Sequence, residues 1–259
     1  MLEIIHTGAA SDAPPLLIAH GLFGSARNWG VIAKRLSETR QVLTVDMRNH
    51  GESPWADTHS YADLAQDLAE VIGTTGRDVD VLGHSMGGKA AMALALTHPS
   101  LIRRLIIADI APVAYGHTQV HLIAAMRQVY LTKVETRRDA DQQLQSIIPE
   151  DGVRAFLLQS LDVKGKRWRF NLDVLEREMP QIIGWDPIKT EFDGSTLFLS
   201  GGASDYVRRE DRDAIRTLFP KARFAKIPGA GHWLHAEKPR EFEATVDAFL
   251  GAPASSSEI

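Results

Sequence analysis

A serine stands inside a short glycine-rich stretch about a third of the way along the chain. The stretch is GHSMG at 83–87, and it places Ser85 between Gly83 and Gly87. An apolar run, VDVL, precedes it, and a helix-forming run, KAAMALAL, follows it. A nucleophile on a sharp strand-to-helix turn needs small residues two positions before and after it, because the backbone there is strained. The pattern predicts that Ser85 is a catalytic nucleophile; the alternative is an ordinary turn between a strand and a helix.

A serine hydroxyl is a poor nucleophile unless a base takes its proton. His232 lies in a glycine-rich loop, IPGAGHW, directly after the last predicted strand. Such a loop can bring the imidazole ring over the carboxyl edge of a sheet. His232 is therefore the predicted base, and His235, three residues further on, is the alternative. His84 is adjacent to the serine, points differently along the turn, and is expected to be structural.

The base in turn needs a carboxylate that orients its ring and stabilises its cation. Two aspartates qualify. Asp109, in LIIADIAPV, comes directly off an apolar strand, so its burial and orientation would be well defined. Asp205, in FLSGGASDYV, follows the penultimate predicted strand on a looser loop. The residues alone leave the choice between them open.

Acyl transfer also needs N–H donors for the oxyanion that develops on the substrate. The residue after the nucleophile, Met86, supplies one backbone N–H. The early loop IAHGLFGSARNW at 18–29 supplies the other, because a glycine after His20 lets the backbone approach closely. Either Leu22 or Phe23 is the predicted second donor.

The elements that must position these residues alternate between short apolar runs and amphipathic segments. Strands of this kind, apolar throughout rather than at every second residue, are typical of a parallel sheet that is buried on both faces. Helical patterns lie between them, as in SYADLAQDLAEVIGTTG at 60–76, where Ser60 is a suitable N-cap. The alternation predicts an α/β fold with a doubly wound, mostly parallel sheet. The predicted strands are 15–21, 41–47, 79–85, 101–110, 195–202 and 222–231.

The alternation stops between residues 113 and 190, where helical patterns follow one another with no strand between them. We expect this insertion to be a helical cap over the site, and extra packing helices are the alternative. Residues 1–112 and 191–251 would form the core, and 252–259 a flexible tail. The cap residues predicted to line a substrate pocket are Phe156, Leu157, Trp168, Phe170 and Trp185.

The composition narrows the functional classes. Of the 259 residues, 44% are hydrophobic and 24% are charged, which predicts a globular fold with a sizeable core. A net charge of −4 gives no electrostatic basis for binding nucleic acid. The absence of cysteine excludes disulfides, a thiolate nucleophile and a Cys-ligated zinc site. The N-terminal residues lack the pattern of a secretory signal and no apolar stretch approaches the ~20 residues of a membrane span, so we expect a cytoplasmic protein.

Four motifs, HGLFGS, VDMRNHGES, GHSMGGKA and GAGHWLHAEKP, resemble those of the α/β-hydrolase superfamily in type and order. Together with DIAPV they look like its branch of small carboxylesterases and acyl-CoA thioesterases, which includes the YbfF-type esterases and the abhydrolase-domain 11 proteins. The resemblance implies an α/β-hydrolase fold with a helical cap inserted after the sixth strand. It also implies a Ser-His-Asp triad, and it favours Asp109 modestly over Asp205.

These residues predict a serine hydrolase that cleaves esters or thioesters of small or medium acyl chains through an acyl-enzyme. Its partner would be a small-molecule substrate, and it would need no metal or organic cofactor. A second hypothesis is a cofactor-free C–C bond hydrolase or perhydrolase with the same triad. A third is a hydrolase-fold protein that binds without catalysis. The sequence leaves the oligomeric state and the physiological substrate open.

Overall fold

A seven-stranded sheet forms the centre of the protein, and the computed structural model describes residues 1–252 of the chain. The strands, in chain order, are β1 (Glu3–Thr7), β2 (Leu16–Ala19), β3 (Val42–Asp46), β4 (Val79–His84), β5 (Ile102–Ala108), β6 (Leu161–Asp162), β7 (Arg167–Trp168), β8 (Ser195–Gly201) and β9 (Ala222–Ile227). The sheet has the order β1-β3-β2-β4-β5-β8-β9, and β6 pairs only with β7. Every neighbouring pair in the sheet is parallel except β1 with β3.

Burial of the central strands explains why the sequence shows them so clearly. Every residue of β2, β3 and β4 is buried, as expected for parallel strands covered on both faces. The edge strand β1 was not predicted, because EIIHT is half-exposed and offers no continuous apolar run. The doubly wound, mostly parallel sheet is confirmed.

Helices cover both faces of this sheet. They are α1 (Gly30–Leu36), α2 (Tyr61–Gly73), α3 (Met86–Thr97), α4 (Val120–Arg127), α5 (Arg137–Leu144), α6 (Asp151–Leu158), α7 (Leu172–Arg177), α8 (Met179–Ile183), α9 (Arg212–Leu218), α10 (Leu234–Glu237) and α11 (Pro239–Gly251). Helix α2 begins as predicted, because the Ser60 hydroxyl accepts the Asp63 N–H and the Asp63 carboxylate accepts the Ser60 N–H. None of the helices in residues 1–252 is long and apolar enough to cross a bilayer.

Helices α4 to α8 form the insertion between β5 and β8. The expectation that it contains no strand is wrong, since β6 and β7 make a small hairpin in which Asp162 accepts the Gly165 N–H at 2.9 Å. The insertion also follows the fifth strand of the chain rather than the sixth, because only five strands of the described residues precede it. We propose 113–190 as the cap, as the sequence suggested. Apart from Ala252, the predicted tail lies outside the described residues.

Candidate active site

Ser85 lies on the turn from β4 to α3 with a backbone φ of 53°, a region that favours glycine. Close packing of the turn explains both glycines of GHSMG. A Cβ on Gly83 would lie 2.2 Å from the carbonyl oxygen of Gly87. A Cβ on Gly87 would lie 2.4 Å from the carbonyl oxygen of Ala19 in β2. Side chains at either position would therefore push the turn off the sheet, and the strained turn holds Ser85 at the carboxyl edge.

His232 reaches Ser85 from the loop between β9 and α10. Its Nε2 lies 3.1 Å from the Ser85 Oγ, which is hydrogen-bond distance. Its backbone carbonyl accepts a hydrogen bond from Nε2 of His84 at 2.8 Å. The Tyr206 ring stacks on the imidazole, with centroids 3.8 Å apart and planes 19° apart. Tyr206 thus holds the ring of His232, and His84 holds its backbone. His84 has a structural contact, as expected.

Asp109 meets the other ring nitrogen of His232. It follows β5, is completely buried, and its Oδ2 lies 2.8 Å from the His232 Nδ1. Oδ1 accepts the Gly201 N–H at 2.9 Å, and Oδ2 also accepts the Ser204 hydroxyl. A backbone φ of 53° aims the side chain along this edge of the sheet. The structure therefore brings Ser85, His232 and Asp109 together.

The two alternatives from the sequence lie elsewhere. Asp205 is exposed on the loop after β8, and both ring nitrogens of His232 are already occupied by Ser85 and Asp109. His235 is buried against Trp29, with ring centroids 4.2 Å apart. Burial lowers the pKa of His235 to about 3. Neither residue contacts Ser85 by a hydrogen bond.

The backbone donors are distinguished by their hydrogen bonds. The Phe23 N–H donates to Nε2 of His50 at 3.3 Å and is therefore occupied. The N–H groups of Leu22 and Met86 have no hydrogen-bond acceptor among residues 1–252. Both residues line the same cavity as Ser85. Of the two early-loop candidates, Leu22 has the free N–H.

Three buried histidines that the sequence did not indicate as site residues, His20, His50 and His59, lie around the early loop and Met86. His50 accepts the Phe23 N–H with Nε2, so its Nδ1 carries the proton that it donates to a backbone carbonyl. His59 places its Nε2 3.3 Å from Sδ of Met86. Burial lowers the pKa of His20 to about 4 and that of His50 to about 3, and holds the pKa of His59 well below its ordinary value. All three are neutral at pH 7, which leaves His50 free to act as an acceptor.

A cavity of about 430 Å³ opens beside Ser85 and His232, between the core and the cap. Its wall is mostly apolar. The apolar and aromatic residues that line it are Leu22, Phe23, Trp29, Tyr61, Met86, Ile110, Tyr115, Leu122, Val153, Phe156, Ile182, Ile183, Tyr206 and Trp233.

Only one of the five predicted cap residues lies on this wall. Phe156 lines the cavity and contacts the Trp233 ring, with centroids 5.6 Å apart. Leu157, Trp168 and Phe170 are buried in the hydrophobic core, and Trp185 packs partly buried against that core. These four do not line the cavity. Phe170 packs behind Phe23 and Trp185 behind Tyr61, with ring centroids 5.6 and 6.0 Å apart.

Lys89 is a further residue of this wall that sequence reasoning missed. It is 1% exposed, and its Nζ donates to the carbonyls of Ile183, at 3.0 Å, and Gly184. The ammonium lies 4.8 Å from the Tyr115 ring centroid. Burial lowers the pKa of Lys89 to about 7. Its position four residues after Ser85, on the same helix face, is the signal that could have indicated it.

No group of three or more His, Asp or Glu side chains in residues 1–252 is arranged to hold a metal ion. That the protein works without a metal or organic cofactor stays a prediction.

Comparison with known proteins identifies the family of this chain. The model of the alpha/beta hydrolase family matches residues 16–245, and the chain belongs to that family. It is 42% identical to the sn-1-specific diacylglycerol lipase ABHD11 of Mus musculus, over 92% of this chain and 81% of that protein. It is 43% identical to the esterase YbfF of Escherichia coli (strain K12), over 91% of this chain and 92% of that protein. A solved structure of a marine microorganism esterase matches with a TM-score of 0.91 and 38% identity, covering 96% of this chain and 98% of that one.

These relatives confirm three predictions made from the sequence: the family, the fold, and the enzyme class, which is a hydrolase of the carboxylesterase type.

Proposed function

We propose that this protein is a serine hydrolase that cleaves carboxylic esters or thioesters, with Ser85, His232 and Asp109 as its catalytic triad. The observation that carries the proposal is the continuous chain of contacts, 3.1 Å from Ser85 to His232 and 2.8 Å from His232 to Asp109, at one end of an apolar cavity. Nucleophile, base and orienting acid in hydrogen-bond contact are the arrangement that acyl transfer requires.

In the acylation step the Ser85 Oγ attacks the acyl carbon while Nε2 of His232 takes the hydroxyl proton. Asp109 holds Nδ1–H in place and stabilises the imidazolium that forms. The carbonyl oxygen becomes an oxyanion, and the N–H groups of Leu22 and Met86 donate to it. The bond to the alcohol or thiol then breaks, and the leaving group takes the proton from His232.

Deacylation repeats these steps with water as the nucleophile. His232 takes a proton from the water molecule, and the resulting hydroxide attacks the acyl carbon of the Ser85 ester. The second oxyanion is held by the same two N–H groups. Collapse of this intermediate releases the carboxylic acid and returns the proton to Ser85.

The cavity supports acyl groups of small to medium length as substrates. Its volume of about 430 Å³ and its apolar wall favour a hydrocarbon chain over a sugar or a nucleotide. Two relatives are named as a lipase and an esterase, which supports an oxygen ester; a thioester needs the same triad and donors.

The direct test compares p-nitrophenyl acetate and butyrate, and matched thioesters, with the wild-type protein and Ser85→Ala. The proposal expects hydrolysis by the wild type and a loss of about 10⁴-fold or more in kcat for Ser85→Ala. Full activity of the Ser85→Ala variant would contradict it.

A further inference from the structure

The Tyr206 side chain covers one face of the His232 imidazole. The two ring centroids lie 3.8 Å apart and the planes are 19° apart, so the rings are stacked rather than edge to face. Both ring nitrogens of His232 are occupied, Nε2 by Ser85 and Nδ1 by Asp109. A ring nitrogen makes its hydrogen bond in the plane of the ring, whereas a stacked ring presses on the face. Tyr206 therefore restrains tilting of the imidazole out of its plane, which the two hydrogen bonds restrain only weakly.

The loop that carries Tyr206 also holds the acid. Ser204 and Tyr206 lie two residues apart in the loop that follows β8. The Ser204 hydroxyl donates to the Asp109 carboxylate, and the Tyr206 N–H donates to the Ser204 Oγ at 3.3 Å. One short segment of backbone thus contacts both the base and the acid, so a displacement of Tyr206 would disturb both contacts together.

Two residues at the start of the insertion fasten Tyr206. The His117 Nε2 lies 2.9 Å from the Tyr206 hydroxyl oxygen, and the Tyr115 hydroxyl donates to the Tyr206 carbonyl at 2.7 Å. Burial raises the pKa of Tyr206, and desolvation is the main cause that lowers the pKa of His117. At pH 7 the phenol therefore keeps its proton, and the neutral His117 ring can accept its hydrogen bond. Ring and backbone of Tyr206 are both tied to the insertion.

Tyr206 also stands between the base and a second cavity. A cleft of about 650 Å³ lies between the loops that follow β5 and β8, and Asp205 and Arg208 are among the charged residues of its wall. Tyr206 and His232 line both this cleft and the apolar cavity beside Ser85. Without the Tyr206 ring the imidazole would face the cleft, where it would have room to rotate and where water would compete for its hydrogen bonds.

We propose that Tyr206 is a positioning residue of the hydrolysis. Its ring holds the His232 imidazole in line with Ser85 and Asp109 and stabilises the imidazolium, and His117 fixes the ring in that place. This inference rests on the proposed function and adds a residue to its machinery. The face of an aromatic ring attracts a cation. Because the imidazolium forms only after the Ser85 proton has moved, the ring lowers the barrier to reaction without strengthening substrate binding.

The test compares Tyr206→Leu with the wild type on p-nitrophenyl acetate and butyrate. We expect kcat to fall about ten-fold, by the same factor for both esters, with KM within about two-fold of the wild type. A residue that only shaped the cavity would instead change KM and the preference between the two acyl chains. Tyr130→Leu is the matched control, because Tyr130 is 69% exposed and does not line the cavity. It should leave both constants within about two-fold of the wild type.

A double-mutant cycle tests the contact with His117. Tyr206→Phe keeps the stacked ring and loses the hydroxyl, so it should retain most of the activity that Tyr206→Leu loses. His117→Ala removes the acceptor. We expect each of these two variants to lower kcat about three-fold and the double variant to lower it no further, because either change already removes the one hydrogen bond. Effects that multiply to about nine-fold in the double variant would overturn the role of His117.

A wild-type kcat in a folded Tyr206→Leu protein would overturn the inference, and so would a change confined to KM. Circular dichroism and the Tm establish that the variant is folded; if it is not, the cycle between Tyr206→Phe and His117→Ala still decides. Ester hydrolysis that is lost in Ser85→Ala would in each case leave the proposed function intact. Failure of the wild type to hydrolyse either ester would count against the proposed function itself.

Discussion

The carboxylate of Asp109 lies 2.8 Å from Nδ1 of His232 and is completely buried. Hydrogen bonds from Gly201 and Ser204 fix the carboxylate from two further directions. An acid held in this way allows the imidazole only one orientation and one tautomer, the one that leaves Nε2 free to accept the Ser85 proton.

Replacing this acid should therefore impair catalysis rather than binding. Asp109→Asn keeps the shape of the side chain but favours the wrong imidazole tautomer. We expect kcat to fall by about 10⁴-fold with KM little changed. Steady-state kinetics on p-nitrophenyl butyrate measures both constants.

Asp205→Asn is the matched control, because Asp205 is exposed on the adjacent loop. We expect its kcat within about two-fold of the wild type, as for most surface substitutions. If Asp205→Asn were the inactive variant and Asp109→Asn the active one, the assignment of the acid would be wrong.

The sequence could not choose between these aspartates for a topological reason. Each follows a strand, β5 or β8, and these two strands are neighbours in the sheet. Their carboxyl ends therefore deliver both loops to the same edge. The choice depends on the φ of 53° at Asp109 and on partners some 90 residues away, neither of which appears in a local pattern.

His50 should matter for the rate although it does not touch the substrate. Its Nε2 accepts the N–H of Phe23, whose backbone φ is 60°, and so holds the loop that presents the Leu22 N–H. His50→Leu removes the acceptor, and we expect kcat to fall about ten- to a hundred-fold. This fall is no larger than the fall in kcat caused by removing an oxyanion donor outright.

His50→Gln retains an acceptor and should recover part of that loss. His6→Leu, at an exposed histidine of β1, is the control for loss of an imidazole. A His50→Leu protein with the wild-type kcat would show that the loop needs no such support.

Phe156 and Leu157 are neighbours on α6 with different predicted effects. Phe156 lines the cavity, so Phe156→Ala should raise kcat/KM for octanoyl relative to butyryl esters by about ten-fold. Leu157 is fully buried in the core, so Leu157→Ala should cost about 3 kcal/mol of unfolding free energy and leave the chain-length preference unchanged. Equal shifts in chain-length preference for both variants would contradict the description of the wall.

The same pair shows what the sequence could not provide about the cap. Aromatic and aliphatic residues in short helices such as α6 pack on both sides, towards the cavity and towards the core. Which side a residue faces depends on how the insertion sits on the core, and that is set by distant contacts such as the hydrogen bond from the Tyr61 hydroxyl to the Ile182 carbonyl. By contrast, GHSMG indicated the sharp turn between β4 and α3 directly, because close contacts with β2 and α3 permit only glycine at positions 83 and 87.

The buried histidines predict loss of stability in acid. Burial lowers the pKa values of His20, His50 and His235 to between about 3 and 4, below the ordinary value near 6.5. Below pH 6.5 the unfolded chain therefore binds more protons than the folded one, and stability falls as the pH falls. Each such group contributes up to ~1.4 kcal/mol per pH unit between the two pKa values. Urea denaturation at pH 4.5 to 7.5 measures this slope.

His235→Phe separates one of these groups from the others. The replacement keeps an aromatic ring against Trp29 and removes one proton site. We expect a shallower dependence of the unfolding free energy on pH than in the wild type. The same slope in both proteins would mean that His235 is not held neutral by burial.

Covalent labelling with a fluorophosphonate tests the central claim most directly, because such probes react with a serine only when a base and an oxyanion hole activate it. Peptide mapping by mass spectrometry locates the label. We predict a single modified residue, Ser85, with labelling strongly slowed in Asp109→Asn and not in Asp205→Asn. An unlabelled Ser85 in the folded wild-type protein, or a label on another serine, would contradict the assignment of the nucleophile.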